Sequence, residues 1–229
     1  MMRSLWIPAC AGMTREKALS IRHSLSKPSM PDFVYLASQS PRRRQLLEQI
    51  GVRHELLLPG EDEDAESLEA ELPGEPPLAY VRRVTVLKLE AAVRRWERRG
   101  LPPAPVLCSD TTVALGRTIY GKPADAQDAA RMLSLLSGTT HRVLTCVGVW
   151  SEGRTTQAVS ESRVRFAPMT PAQIDAYVAS GEPMGKAGAY AVQGRAAEFI
   201  ANINGSYTGI MGLPLYETMN LLRSVGLLA

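Results

Sequence analysis

The 229-residue chain is 45% hydrophobic and 21% charged, ordinary proportions for a globular protein with ample material for a core. No apolar run is long enough to span a bilayer, which argues against a membrane protein. The net charge of +3 sits in residues 1–29, where five basic residues face one acid; the remainder holds 21 basic against 22 acidic residues and gives no support for a nucleic-acid binder.

Residues 1–29 have no helical or strand period, and Arg15, Glu16 and Lys17 interrupt too early for a signal peptide. A transit-like reading is the alternative to an unstructured extension ahead of a natural start at Met30. The expectation is a disordered extension over 1–29 and one domain of two lobes over 30–229. Phe33–Ala37 then reads as a strand. Ser38-Gln-Ser-Pro41 opens a helix, with Ser40 as N-cap and Pro41 at the first position, and Gly51 stops it. A second strand follows around 52–58. Residues 59–78 carry eight acids, several prolines and no base, which predicts a solvated acidic loop with a short helical start. A long helix is predicted over 79–99 and a buried strand at 105–108. A hairpin turns about Gly116 and a helix capped by Asp125 runs to Leu136. Paired strands cover 141–150 and 155–166. A capping box at Thr170–Gln173 opens the next helix. The glycine-rich stretch 185–211 is predicted as strand–loop–strand, and a last helix runs from Pro214 to about Val225. The class is α/β with a mixed sheet.

Five stretches hold chemistry. In Ser38–Arg44 three arginines occupy the first helical turn, against the preference of the helix dipole for negative charge. Free backbone N–H groups and guanidinium forks there suit a phosphate, with Ser38 and Arg42 as contacts; a solvated basic face is the alternative. Asp110 ends an apolar strand, where a carboxylate serves catalysis or Mg²⁺ binding, or caps a turn. Asp62-Glu63 can hold Mg²⁺ beside phosphates, although a solvated loop is the better reading for most of the acids around them. Gly116–Lys122 nearly matches a phosphate-binding P-loop, but Pro123 stands where the Mg²⁺-binding hydroxyl belongs, so only Lys122 is retained as a phosphate contact. In 182–194 the glycines allow close approach to a ligand, and Gln193 can address a base edge; a plain glycine-rich turn is equally good. The histidines His23, His54 and His141 form no metal or triad spacing. Cysteines 10, 108 and 146 form neither a disulfide framework nor a zinc pair, which suits a reducing compartment.

Together, LASQSPRRRQLL (36–47), SDTTVALGRTIYGKP (109–123), AARMLSLLSGTTHRVLT (129–145), EPMGKAGAYAVQG (182–194) and INGSYTGIMGLPLYET (203–218) resemble the Maf family, over essentially all of 33–229. The resemblance implies an elongated two-lobed mixed-sheet α/β fold with a central cleft, similar to inosine-triphosphate pyrophosphatases. It implies hydrolysis of a nucleoside triphosphate to the monophosphate and pyrophosphate, with dTTP and UTP as substrates. A divalent cation, Mg²⁺ or Mn²⁺, is implied as cofactor, held by Glu63 and Asp110. By the same resemblance Asp110 is the proton acceptor, Lys88 and Lys122 are phosphate-side lysines, and Arg42, Thr111 and Gln193 mark the dTTP/UTP branch. Gly185 stands where the family often has Asp, which puts in doubt a carboxylate role there. Two rivals follow from the same family: a preference for 7-methyl-GTP, and a binding role in septum formation. A free nucleotide as partner, no stable nucleic-acid or membrane binding, a homodimer and a cytoplasmic location complete the expectation.

Overall fold

The computed structural model describes residues 32–60, 63–64 and 67–228; the extension expected over 1–29, the start expected at Met30, and Asp62 lie outside them. In chain order the elements are β1 (Phe33–Leu36), α1 (Pro41–Gln49), β2 (Arg53–Leu56), a single 3₁₀ turn at Ser67–Glu69, α2 (Pro77–Arg98), β3 (Val106–Leu115), β4 (Thr118–Tyr120) and α3 (Ala126–Leu136). They continue as β5 (Thr140–Ser151), β6 (Arg154–Phe166), α4 (Pro171–Val178), 3₁₀ turns at Ala187–Ala189 and Arg195–Phe199, β7 (Ile200–Asn204), α5 (Tyr207–Met211) and α6 (Leu215–Ser224). The strands make one mixed sheet in the order β2-β1-β3-β5-β6-β7, with β4 folded back on β3. β1 runs parallel to β2 and β3, and the remaining pairs are antiparallel. The α/β class expected from the alternation of elements is the one observed.

Strand alternation in β3 organises everything around it. On one face, Val106 and Cys108 join Tyr35, Leu57, Leu89 and Ala92 in a core under α2, and Ala114 joins Val81, Leu144 and Cys146 further along the same helix. On the other face, Leu107 packs with Leu46 and Leu47 of α1, Leu222 of α6 and Leu213 just before α6. Val113, six residues further along that face, belongs to a separate core with Leu133, Phe166, Ile174 and Tyr177. The polar run Ser109-Asp110-Thr111-Thr112 therefore lies between two apolar cores. α2 approaches the sheet closely because β5 offers Gly148: a Cβ there would meet Thr85 Cγ2 at 3.2 Å and Leu89 Cδ2 at 3.3 Å.

Local signals account for most boundaries. Asp125 accepts a bond from Asp128 N–H at the start of α3, and Thr170 and Gln173 form the expected capping box. Two details differ from the sequence reading. Ser40 makes no side-chain cap; Ser38 Oγ instead accepts from Ser40 N–H at 3.2 Å. The stretch 185–211 is mostly tight turns, with one strand and one short helix rather than two strands. The reason is backbone conformation: Gly185, Gly188 and even Ala189 have φ of 69°, 67° and 61°, incompatible with an extended ladder.

Candidate active site

β1 accompanies β3 only as far as Leu36 opposite Leu107, prolonged by Ala37 N–H bonding the Leu107 carbonyl at 2.8 Å. β4 takes up the same edge only at Val113 opposite Tyr120. Between those points the edge of β3 is vacated, while its other edge stays paired with β5 throughout. A cleft of about 750 Å³ opens at this gap, and Ser38, Arg42, Glu63, Lys88, Asp110, Thr111 and Lys122 all line it. Gln193 does not; it is exposed, and its neighbour Val192 lines the wall instead.

Asp110 points to the α2 side of β3. It is 7% exposed, and its Oδ1 accepts from Lys88 Nζ at 2.6 Å. Lys88 falls on the buried stripe of α2 formed by Val81, Val84, Thr85, Leu89 and Ala92, so helix periodicity delivers an ammonium to the sheet surface. Burial alone would push that ammonium down, but Asp110 and Glu69 outweigh it and hold its pKa above the ordinary lysine value. Glu69 Oε1 accepts from Lys88 at 2.7 Å, and Lys122 reaches the same carboxylate at 3.2–3.3 Å. Burial likewise opposes the charge on Glu69, and the two lysines overcome it to lower its pKa. Glu69 belongs to the acidic stretch of which most members are expected to form a solvated loop. Nothing in its local sequence separates it from the others, since only tertiary folding brings it between two lysines.

Thr111 points to the opposite face. It accepts from Thr145 Oγ1 of β5 at 3.1 Å and from Arg43 Nη2 at 3.4 Å. Arg43 also donates to the Gly212 carbonyl at 2.7 Å and to Ser38 Oγ at 3.0 Å, so it clamps the turn before α1 to the end of α5. Arg42 donates to the Met211 carbonyl at 3.3 Å. Burial and then the charge of Arg43 lower the pKa of Arg42, and burial and then Arg42 lower that of Lys186. These cations crowd one another, and Glu182 offsets the repulsion at Lys186 only in part, the electrostatic setting of an anion site. The arginine run thus divides: Arg42 and Arg43 face the cleft, while Arg44 lies on the exposed side beside Glu48.

Glu63 lines the cleft at its Arg95 end. Both its oxygens accept from Arg95, at 2.6–3.2 Å, and Oε1 also accepts from Arg98 at 2.9 Å. The Arg95 bonds chiefly, against a smaller effect of burial, hold its carboxyl down at about 2. Among the described residues no three His, Cys, Asp or Glu side chains converge as a resident metal cage requires. The carboxylate that meets Asp110 through Lys88 is Glu69 rather than Glu63. A cleft with one β-strand carboxylate and many cations fits a cation that shares its ligands with phosphate oxygens, as Mg²⁺ commonly does.

Comparison with known proteins gives the same direction. A profile of the family described as Maf-like protein matches residues 33–225. A protein of Albidiferax ferrireducens named dTTP/UTP pyrophosphatase is 67% identical over 197 residues, covering 86% of this chain and 98% of its own. Relatives with that name from Polaromonas sp. and Cupriavidus pinatubonensis are 69% and 63% identical, each covering 86% of this chain and 97% and 99% of their own. The solved structure of the Staphylococcus aureus Ham1 protein aligns with a TM-score of 0.40 and 12% identity, over 83% of this chain and 96% of that one, a likeness too distant to carry an argument.

Proposed function

The chain belongs to the Maf-like family, and from that premise we propose that it is a nucleoside-triphosphate pyrophosphatase hydrolysing dTTP and UTP to the monophosphate and pyrophosphate. The observation that carries this reading is the gathering of Arg42, Lys88, Lys122 and Lys186 with Asp110 around one cleft. Cations in that number suit a polyphosphate, and a lone strand carboxylate among them suits a base.

In this reading Arg42 and Lys186 receive the phosphates first, because among the described residues neither is locked in a salt bridge, whereas Lys88 and Lys122 are. Asp110 orients a water and takes its proton as the water oxygen attacks the α-phosphorus, with pyrophosphate leaving in line. Lys88 fixes Asp110 by holding Oδ1, so the carboxylate keeps one geometry through the reaction. Fixed cations around the developing phosphoryl charge supply most of the acceleration. A bound Mg²⁺ or Mn²⁺ would be held by Asp110 together with phosphate oxygens, and would neutralise charge on the leaving group; Glu63 would join it only by exchanging its arginine partners. Thr111 and Arg43 shape the opposite wall, against which the base and sugar would lie. Arg42, Thr111 and Gln193 remain the proposed determinants of pyrimidine choice, Gln193 from outside the cleft lining.

No helix among the described residues is long and apolar enough to cross a membrane; the free-nucleotide substrate of this reading supports the cytoplasmic location we propose with it. The test is pyrophosphate release from dTTP, UTP, CTP, GTP and 7-methyl-GTP, each with Mg²⁺ and with Mn²⁺. Release of pyrophosphate from dTTP and UTP above the others is the expected result. Orthophosphate as the product, or a preference for 7-methyl-GTP, would overturn it.

A further inference from the structure

Lys88 and Lys122 are the cations best placed for a polyphosphate on the Asp110 side of the cleft, yet both are already engaged. Glu69 Oε1 lies 2.7 Å from Lys88 Nζ, and its two oxygens lie 3.3 and 3.2 Å from Lys122 Nζ. Two ammonium groups closing on one pair of carboxylate oxygens is the arrangement a phosphate group would make with the same lysines. Glu69 is therefore seated where an anion belongs.

Its seat is weakly built. Glu69 ends a three-residue 3₁₀ turn within the loop between β2 and α2. The turn is tied to α2 by Tyr80 Oη donating to the Glu69 carbonyl at 2.8 Å and by Arg83 donating to the Ala70 carbonyl at 2.8 Å. Those bonds hold the backbone, and only the two lysines hold the carboxylate among the described residues. Of the two pairs Glu69 makes, that with Lys122 is 30% and 47% exposed and screened by water, so it contributes little, while that with Lys88 is tighter, at 2.7 Å and 30% and 19% exposed. The Lys88–Asp110 pair, at 19% and 10% exposed, is better sheltered. An incoming anion thus meets Glu69, held by two partly exposed pairs, and Asp110, held by one more sheltered pair.

We propose that Glu69 is a displaceable counter-ion, a specificity-determining residue that occupies the polyphosphate's place on Lys88 and Lys122 until a polyanion expels it. The proposal rests on the pyrophosphatase reading and adds a residue and a role to it. With Glu69 and Asp110 in place the four-residue cluster is neutral, two ammonium groups against two carboxylates. Expelling Glu69 leaves a single excess positive charge directly beside Asp110. A ligand with several phosphate charges can drive that exchange, and a monophosphate drives it poorly. After cleavage the returning carboxylate competes with pyrophosphate for the lysines and speeds its departure.

The experiment compares the full chain with Glu69→Gln and Glu69→Asp. Calorimetry measures binding of pyrophosphate in EDTA, without metal or nucleotide, and steady-state kinetics give KM for dTTP and the inhibition constant of pyrophosphate. Glu69→Gln removes the competing charge and should tighten pyrophosphate binding by about two- to fivefold, the range an exposed ion pair is worth. It should lower KM and the inhibition constant in the same direction. The gain should shrink as salt is raised, and Glu69→Asp should restore wild-type behaviour at least in part. Unchanged or weaker pyrophosphate binding in Glu69→Gln overturns the proposal and makes Glu69 a structural residue or a ligand-side contact. Because binding is measured without turnover, a wild type that fails to hydrolyse dTTP while Glu69→Gln still tightens pyrophosphate binding would remove the substrate assignment and leave the counter-ion standing.

Discussion

His141 begins β5 with its ring inside the core that walls one end of the cleft, 1% exposed. Its Nε2 lies 2.9 Å from the Tyr190 hydroxyl, and its ring meets Phe166 and Tyr190 edge-on at 5.0 and 5.4 Å. Nδ1 has no partner among the described residues. Burial lowers its pKa from 6.5 to about 4, so the folded protein keeps the imidazole neutral while the unfolded chain takes up a proton below 6.5. Stability is complete above pH 6.5 and falls as the pH drops towards 4. At pH 5 protonation favours the unfolded state by a factor of about 30, or about 2 kcal/mol, rising to about 3 kcal/mol by pH 4. For a protein of this size 2 kcal/mol is about 4–8 °C in thermal midpoint. His141→Gln retains an amide that can meet the Tyr190 hydroxyl but cannot take a proton. The assay is thermal unfolding of both proteins at pH 7.5 and pH 5 in matched salt. Wild type should lose about 4–8 °C more than the variant. Glu63 does not confuse the comparison, because its held-down carboxyl affects stability only below about 4.5. Equal losses in the two proteins would mean that His141 titrates normally and that the ring is not sealed in the core.

Asp110→Asn should lower turnover on dTTP by about 10²–10⁴-fold, the usual contribution of a general base, with the thermal midpoint checked to show that the fold persists; near wild-type turnover ends the assignment. Gly188→Ala places a Cβ 2.8–2.9 Å from the Val113 side chain at a φ of 67°, which should cost about 1–3 kcal/mol in denaturant unfolding. Arg43→Lys keeps the charge but cannot reach Gly212, Ser38 and Thr111 together; a loss of about 1–2 kcal/mol in the same assay and a higher KM for dTTP are expected.

The elements near the site were legible because their signals are local. Asp125, Thr170 and Pro171 are read from a few residues on either side, whereas Lys88 is singled out only by the family resemblance. Asp110 stood out because a charge interrupts an apolar strand. What the sequence could not yield were pairings across long chain separations. Glu69 and Lys88 lie nineteen residues apart, and Arg43 reaches Gly212 from 169 positions away. No composition or period encodes which of eight loop acids arrives between two lysines, or that Glu63 is taken by Arg95. The glycine-rich stretch failed as a strand prediction for another reason. Period and propensity say little where left-handed residues recur, and three of them between 185 and 189 fold the chain into turns.

The position of the cleft follows from β3 itself. A ten-residue strand whose middle four residues are polar cannot be covered on both faces by apolar side chains without leaving hydroxyls and a carboxylate unsatisfied. Two solutions are visible. Ser109 Oγ lies 2.9 and 3.0 Å from the Cys146 and Gly212 carbonyls, which share its one proton, and Thr145 Oγ1 donates to the Gly209 carbonyl at 2.7 Å, so one face is closed by backbone from α5 and the residue after it. On the other face Asp110 is met by a lysine, and the strand edge beside it is left without a neighbour. Thr112 Oγ1 is buried with no partner among the described residues, a sign that satisfaction here is incomplete. Filling that edge with a continuous strand would complete the sheet and bury Asp110 beside Lys88 with no access for water or phosphate. The gap between the end of β1 and the start of β4 is what turns a buried ion pair into a reachable one.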